Sequence, residues 1–224
     1  GATWSAPQRV SRPASGAALA IALQVVTEGD DVLVVYADRR AGQADVYANA
    51  SSDAGATWQT ADLRINRGAL GLGSAEAPHA VLAGGFAHVV WEDGRGASAD
   101  IRYSRSEDAG QTWPDEDLRL DLATSTSVFA VRPRVAARGA ELAVCWLDSR
   151  EGVLDVLLRR SLDGGRTWGD GEQRLDEDPS EAGESLDARL AFTTGGRIAV
   201  WSDTRSGQAD IFVHHARDDD SPKR

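Results

Sequence analysis

The sequence predicts an all-β chain: a β-propeller of four four-stranded antiparallel blades, the last blade closed by strands from the N and C termini. Three observations carry that expectation. Trp58, Trp113 and Trp168 stand 55 residues apart, and the same interval separates Tyr36, Trp91, Trp146 and Trp201, and also Asp45, Asp100, Asp155 and Asp210. Each interval reads as short apolar runs divided by Gly-rich or polar turns, with no stretch long and periodic enough for a helix. The chain also opens with "GATW", the words that its final repeat lacks. Repetition at this period is the mark of arrays and propellers, so it outranks any local motif.

The second repeat shows the elements in order. "PHAVLAGG" is a first strand ending in a Gly-Gly turn, and "FAHVVWED" is a second. The polar "GRGASA" leads into a third, "DIRYSRS", and "EDAGQT" turns the chain into a short outer strand, "WPDEDLRL". Four antiparallel strands repeated at this length suit a propeller blade. An extended solenoid fits less well, because neither end resembles a polar capping unit. Residues 1–224 therefore read as a single domain without a linker. In the fourth repeat "DIFVHHARDD" places Asp218 where the others have Asp53, Asp108 and Asp163, after which "G-x-T-W" is missing. The N-terminal segment is expected to supply the outer strand there, and such closure removes exposed sheet edges.

The repeated phrase is "SSDAGATW", "SEDAGQTW" and "SLDGGRTW". Gly55, Gly110 and Gly165 suit a positive φ. Asp53, Asp108 and Asp163 can accept backbone N–H bonds within the turn, and the Ser and Thr hydroxyls can satisfy further groups. Trp58, Trp113 and Trp168 are expected to bury a large apolar surface beneath each hairpin, with Trp4 and Asp218 sharing the split fourth copy. A group present in every repeat reads as construction rather than catalysis. The second repeated phrase, "YADRR", "WEDGR", "WLDSR" and "WSDTR", places an Arg among acids and is expected to brace blade to blade.

"S-x-D-x-G-x-T-W" resembles the Asp-box, or BNR repeat, of sialidase-like β-propellers, and the resemblance covers the whole chain. It implies that Asp53, Asp108, Asp163 and Asp218 join third to fourth strands on the face away from any binding site. It also implies a secreted or cell-surface location. Sialidases as a family use an Arg triad, a Tyr nucleophile assisted by Glu, and an Asp acid, on six blades. Here Tyr36, Tyr47 and Tyr103 all fall outside the loops before the first strands, and four repeats are present. The expected function is a non-catalytic binding or scaffold propeller for a carbohydrate or protein ligand. A sialidase-like glycoside hydrolase is the alternative.

Composition narrows the partners. A net charge of −11 and a pI near 4.8 argue against nucleic acid and anionic membranes. No apolar run reaches the length of a membrane span. The lack of an initiator Met and of a signal peptide reads as a processed or trimmed form. Cys145 replaces the Val35, Val90 and Val200 of other repeats and is expected in the core. His79, His88, His214 and His215 have no metal-ligand spacing and are expected at the surface or an interface, so no metal or cofactor is expected. The acidic loop "DEDPSEAGESLD" lacks calcium-loop spacing and reads as solvated.

The candidate ligand-binding ring is Gln24, His79, Arg134 and Arg189, at equivalent places near the start of the innermost strands. Two arginines there can hold a carboxylate or phosphate. Glu76 and Asp187 are a possible facing pair of acids, and Val128 and Phe129 are either loop packing or a small apolar contact surface. The chain is expected to be a monomer or a ring-sharing homo-oligomer.

Overall fold

Fifteen strands, and no helix, account for the regular structure among the described residues. The computed structural model describes residues 3–13, 19–177 and 183–218. The first sheet holds β1 (Ala20–Glu28), β2 (Asp31–Asp38), β3 (Asp45–Ser51) and β4 (Leu63–Arg64). The second holds β5 (Ala75–Ala83), β6 (Phe86–Asp93), β7 (Asp100–Ser106) and β8 (Leu118–Arg119). The third holds β9 (Ala130–Arg138), β10 (Glu141–Asp148), β11 (Asp155–Ser161) and β12 (Gln173–Arg174). The fourth holds β13 (Ser185–Thr193), β14 (Gly196–Asp203) and β15 (Asp210–Arg217). Each sheet is antiparallel in chain order, which makes it a propeller blade.

Alternation along the middle strands explains why blades stack. Val89 and Trp91 of β6 face the first blade, while Val90 faces the third. Val144 and Trp146 of β10 face the second blade, while Ala143, Cys145 and Leu147 face the fourth. A strand apolar on both faces needs a neighbour on each. Three interblade cores result, and Trp91, Trp146 and Cys145 are fully buried in them. Burial pushes the Cys145 thiol up to about 12, as suits a core residue.

The N-terminal segment departs from expectation. Among the described residues the fourth sheet has three strands, residues 3–13 lie in no strand, and Trp4 is 99% exposed. Innermost strands β1, β5, β9 and β13 pack side by side in that order, with no comparable contact from β13 back to β1. Leu23 and Val25 of β1 and Ile211 and Val213 of β15 consequently face solvent. Asp218 is exposed and pairs with Arg138 of the third blade at 2.8 Å, not with a turn of its own.

The three complete turns share one set of bonds. Asp53 Oδ1 accepts the Thr57 N–H at 2.8 Å and Oδ2 the Thr57 hydroxyl at 2.6 Å. The Ser51 hydroxyl donates to Asp53 and accepts the Gly55 N–H. Asp108 and Asp163 repeat the pattern. These bonds hold the exposed Asp53 carboxyl down to about 2. Ala54 donates its N–H to Asp30 O, Ala109 to Gly85 O and Gly164 to Ala140 O, so each turn sits beside the first hairpin of its own blade.

In the first three blades the repeated Arg braces within its own blade, which corrects the blade-to-blade expectation there, whereas Arg205 pairs with Asp203 and also donates to Asp176 O of the third blade at 2.8 Å. Arg95 reaches Asp93 at 2.6 Å and Asp117 at 2.7 Å, joining the β6–β7 turn to the outer strand of the same blade. Arg40 does the same with Asp38 and Asp62, and Arg150 with Asp148 and Glu172. The acids are almost fully buried, so these short charge-assisted bonds are protected from solvent screening. Successive blades are linked by backbone and side chain together: the Arg67 N–H donates to Asp117 at 2.7 Å, and its guanidinium donates to Pro114 O at 2.7 Å and Trp113 O at 3.2 Å.

Candidate functional site

Gln24, His79, Arg134 and Arg189 are set by a bulge repeated in each innermost strand. Two residues before each, the backbone turns to positive φ: 49° at Ala22, 48° at Ala77, 54° at Arg132 and 51° at Asp187. Register slips at the same places, between Ile21 and Gln24, Glu76 and His79, and Leu186 and Arg189, and opposite β9 between Cys145 and Leu147. An inserted residue re-aims the side chains that follow it. The strands run antiparallel, so these bulges lie at the end of each blade opposite the S-x-D-x-G-x-T-W turns.

The first two members form a relay between blades. Gln24 Oε1 accepts the Ala80 N–H at 2.6 Å, and its Nε2 lies 3.5 Å from His79 Nε2. His79 Nδ1 accepts the Val135 N–H at 3.3 Å. The relay stops at the third blade because arginine has no acceptor. Arg134 instead donates to its neighbouring Pro133 carbonyl at 2.8 Å, and Arg189 donates to Ala188 O at 3.0 Å. Arg189 also pairs with Asp187 at 2.5 Å, whereas Arg134 has no carboxylate partner among the described residues.

Charge accumulates where the relay ends. Burial pushes His79 down to about 4, helped by the charges of Arg134 and Arg189. Burial and then Arg189 lower Arg134. The pole therefore gathers two guanidinium groups and one neutral imidazole, with the Asp187 carboxylate paired to one of the two.

Two carboxylates stand nearby. Glu76 and Glu92 are cross-strand partners in β5 and β6. Glu76 is held low by the Ser74 hydroxyl and by Arg39 at 2.9 Å. Glu92 is pushed up by burial and by the Glu76 charge, although it accepts the Arg132 N–H. Sequence reading paired Glu76 with Asp187 and missed Glu92. Glu92 occupies the place of Ala37, Leu147 and Ser202, and that lone acid among otherwise uncharged counterparts was the available signal.

The other candidates have their own places in the fold. Tyr36, Tyr47 and Tyr103 are all buried, with Tyr36 bound by Arg40 and Tyr103 by His88. Burial raises Tyr36 and Tyr103 well above the phenol range, which leaves them poor nucleophiles. Phe129 is exposed before β9, its N–H on the Ser149 hydroxyl. Asp176 is buried, holding Arg174 and the Val156 N–H, while Asp178 and Glu181 lie outside the described residues. Among the described residues no group of acids, His or Cys has metal-binding geometry.

Comparison with solved structures now places the architecture. A Penicillium chrysogenum α-L-arabinanase complexed with arabinobiose matches at 16% identity and TM-score 0.55, over 82% of this chain and 56% of its own. A Zobellia galactanivorans family 117 glycoside hydrolase matches at 9% and 0.57, over 92% and 73%. Trypanosoma rangeli sialidase matches at 15% and 0.59, over 89% and 36%. The chain has the sialidase-like propeller fold. It spans just over half of the arabinanase and about a third of the sialidase. No protein-family model and no curated protein sequence matches it. At such identities the likeness carries the fold alone.

His88 lies inside its own blade, not at the surface or the interface expected of the histidines. It is 1% exposed, its Nδ1 2.8 Å from the Tyr103 hydroxyl, and burial followed by Arg105 pushes it down to about 4. An imidazole that titrates near 6.5 when unfolded and near 4 when folded binds more protons in the unfolded chain between those values. Stability is then fully present above about pH 7 and falls as pH drops from about 6.5 to 4. Urea midpoints measured across that range should decline, and less steeply in His88→Phe.

Proposed function

We propose that the chain is a non-catalytic propeller that binds a carboxylate-bearing carbohydrate at the pole formed by His79, Arg134 and Arg189. The observation that carries this reading is Arg134, half-buried beside a second guanidinium and without a carboxylate partner among the described residues. Two guanidinium forks suit the planar geometry of a carboxylate better than that of a neutral hydroxyl. Carbohydrate is the class favoured by the fold neighbours, which include complexes with arabinobiose and with 2,3-difluorosialic acid. The buried tyrosines support binding without a tyrosine nucleophile.

Calorimetric titration with acidic and neutral oligosaccharides tests the reading. Acidic sugars should bind, Arg134→Ala should weaken them roughly tenfold to a hundredfold, and no sugar should be released. Equal affinity for neutral sugars would contradict it.

The second reading is a glycoside hydrolase, and it rests on Glu76 and Glu92. Neighbouring carboxyls whose environments push one down and the other up have the form of a base and an acid. Hydrolysis of a fluorogenic sialoside, abolished by Glu92→Gln, would establish this reading in place of the first.

A further inference from the structure

The open edge of the fourth blade has a complement elsewhere on the same chain. In the first three blades the third strand is covered by an outer strand, and β3 is buried along its whole length. Its counterpart β15 has no outer partner among the described residues, and Ile211 and Val213 are 77% and 61% exposed.

Residues 8–11, Gln-Arg-Val-Ser, match Leu63–Asn66, Leu118–Asp121 and Gln173–Asp176 position by position. Their placement agrees: the Arg12 N–H donates to Asp62 at 2.7 Å, as Arg67 does to Asp117 and Leu122 to Glu172. The segment therefore lies against the first blade as an outer strand's exit lies against the next blade.

Charge complementarity is specific. In each covered blade the outer-strand Arg pairs with the acid that opens the third strand: Arg64–Asp45 at 3.0 Å, Arg119–Asp100 at 2.9 Å and Arg174–Asp155 at 2.8 Å. Asp210 opens β15 and has only the Ser206 hydroxyl among the described residues. Arg9, its counterpart by position, is exposed and has no carboxylate partner among them. The gap between β13 and β1 keeps these two groups from meeting in one copy.

We propose that a second copy of this chain covers the open edge, its residues 4–12 adding the missing outer strand to β15, with Arg9 on Asp210 and Gln8 opposite Val213. The added strand would satisfy the edge of β15 by strand addition and bring the exposed Leu23 and Val25 of one copy to the fourth blade of the other. The contact is head-to-tail, so it must close on itself or propagate. Propellers run to about four to eight blades. Two four-bladed copies reach the top of that range and three exceed it, so the assembly is a dimer.

Charge reversal tests this with intact chains. Sedimentation velocity should give a dimer for the wild type. Arg9→Asp alone sets like charges together at both contacts, as does Asp210→Arg alone, and each should dissociate at least tenfold more readily. An equimolar mixture of the two variants restores an Asp–Arg pair at both contacts and should recover the dimer. A wild-type monomer, a dimer indifferent to both substitutions, or a mixture that stays dissociated would each overturn the proposal. An independent variant, Gln8→Cys/Val213→Cys, should oxidise to a covalent dimer, and a bond formed within one chain would overturn it.

Discussion

Trp168→Ala should lower the unfolding free energy by roughly 3–5 kcal/mol, the cost of emptying a large aromatic site. Trp168 is 8% exposed and meets Tyr103 edge-on, ring centroids 5.0 Å apart at 76°. It belongs to the core between the second and third blades, together with Val135, Leu142 and Trp146. Its indole N–H has no hydrogen-bond partner among the described residues, which places the loss nearer the lower end of that range. Trp113 is only partly buried, donates to Gly110 O at 3.1 Å and packs at the edge of the first interblade core. Trp113→Ala should therefore cost less, about 1–3 kcal/mol. Urea denaturation of the two variants measures the difference, and equal losses would show that the Trp position is not graded by its blade.

Gly165→Ala should be as damaging as losing the Trp. At φ +80° a side chain is already disfavoured, and a Cβ there would stand 1.9 Å from Tyr103 Oη and 3.0 Å from Leu142 Cδ1. Tyr103 cannot swing away freely, because its hydroxyl is held by the buried His88 at 2.8 Å. Steric strain plus the loss of that bond should exceed about 3 kcal/mol. Gly55→Ala has nearly the same backbone, φ +83°, but would meet only Trp58 at 3.6 Å. It should cost about 1 kcal/mol, the positive-φ penalty alone. Thermal unfolding of both variants side by side checks this, and a Gly165→Ala protein as stable as Gly55→Ala would contradict the close packing of neighbouring blades.

The strand order of each blade was legible because every turn repeats its chemistry at one spacing. Trp91, Trp146 and Cys145 were readable as interior for the same reason. What the repeat hid were the departures from it. His88 sits in "FAHVVW" and looked like a surface residue, yet it fills the space beneath Tyr103, a contact between strands that spacing does not encode. Glu92 was masked by its place beside the repeated aromatic-x-Asp phrase. The period equates one blade with the next but is silent on the rotation between them. That rotation is set by how side chains such as Trp91 and Ala80 fill the space between sheets. Hence four units were visible in the sequence, while the gap between β13 and β1 was not.

The bulges and the turns lie at opposite ends of the blades, and the account places ligand chemistry at the bulges. Amide chemical-shift mapping during titration with an acidic oligosaccharide tests this most directly. Residues 131–135 and 187–190 should shift with saturation, while the turns around Asp53, Asp108 and Asp163 stay unmoved. Shifts confined to those turns, with Arg134 and Arg189 silent, would contradict it.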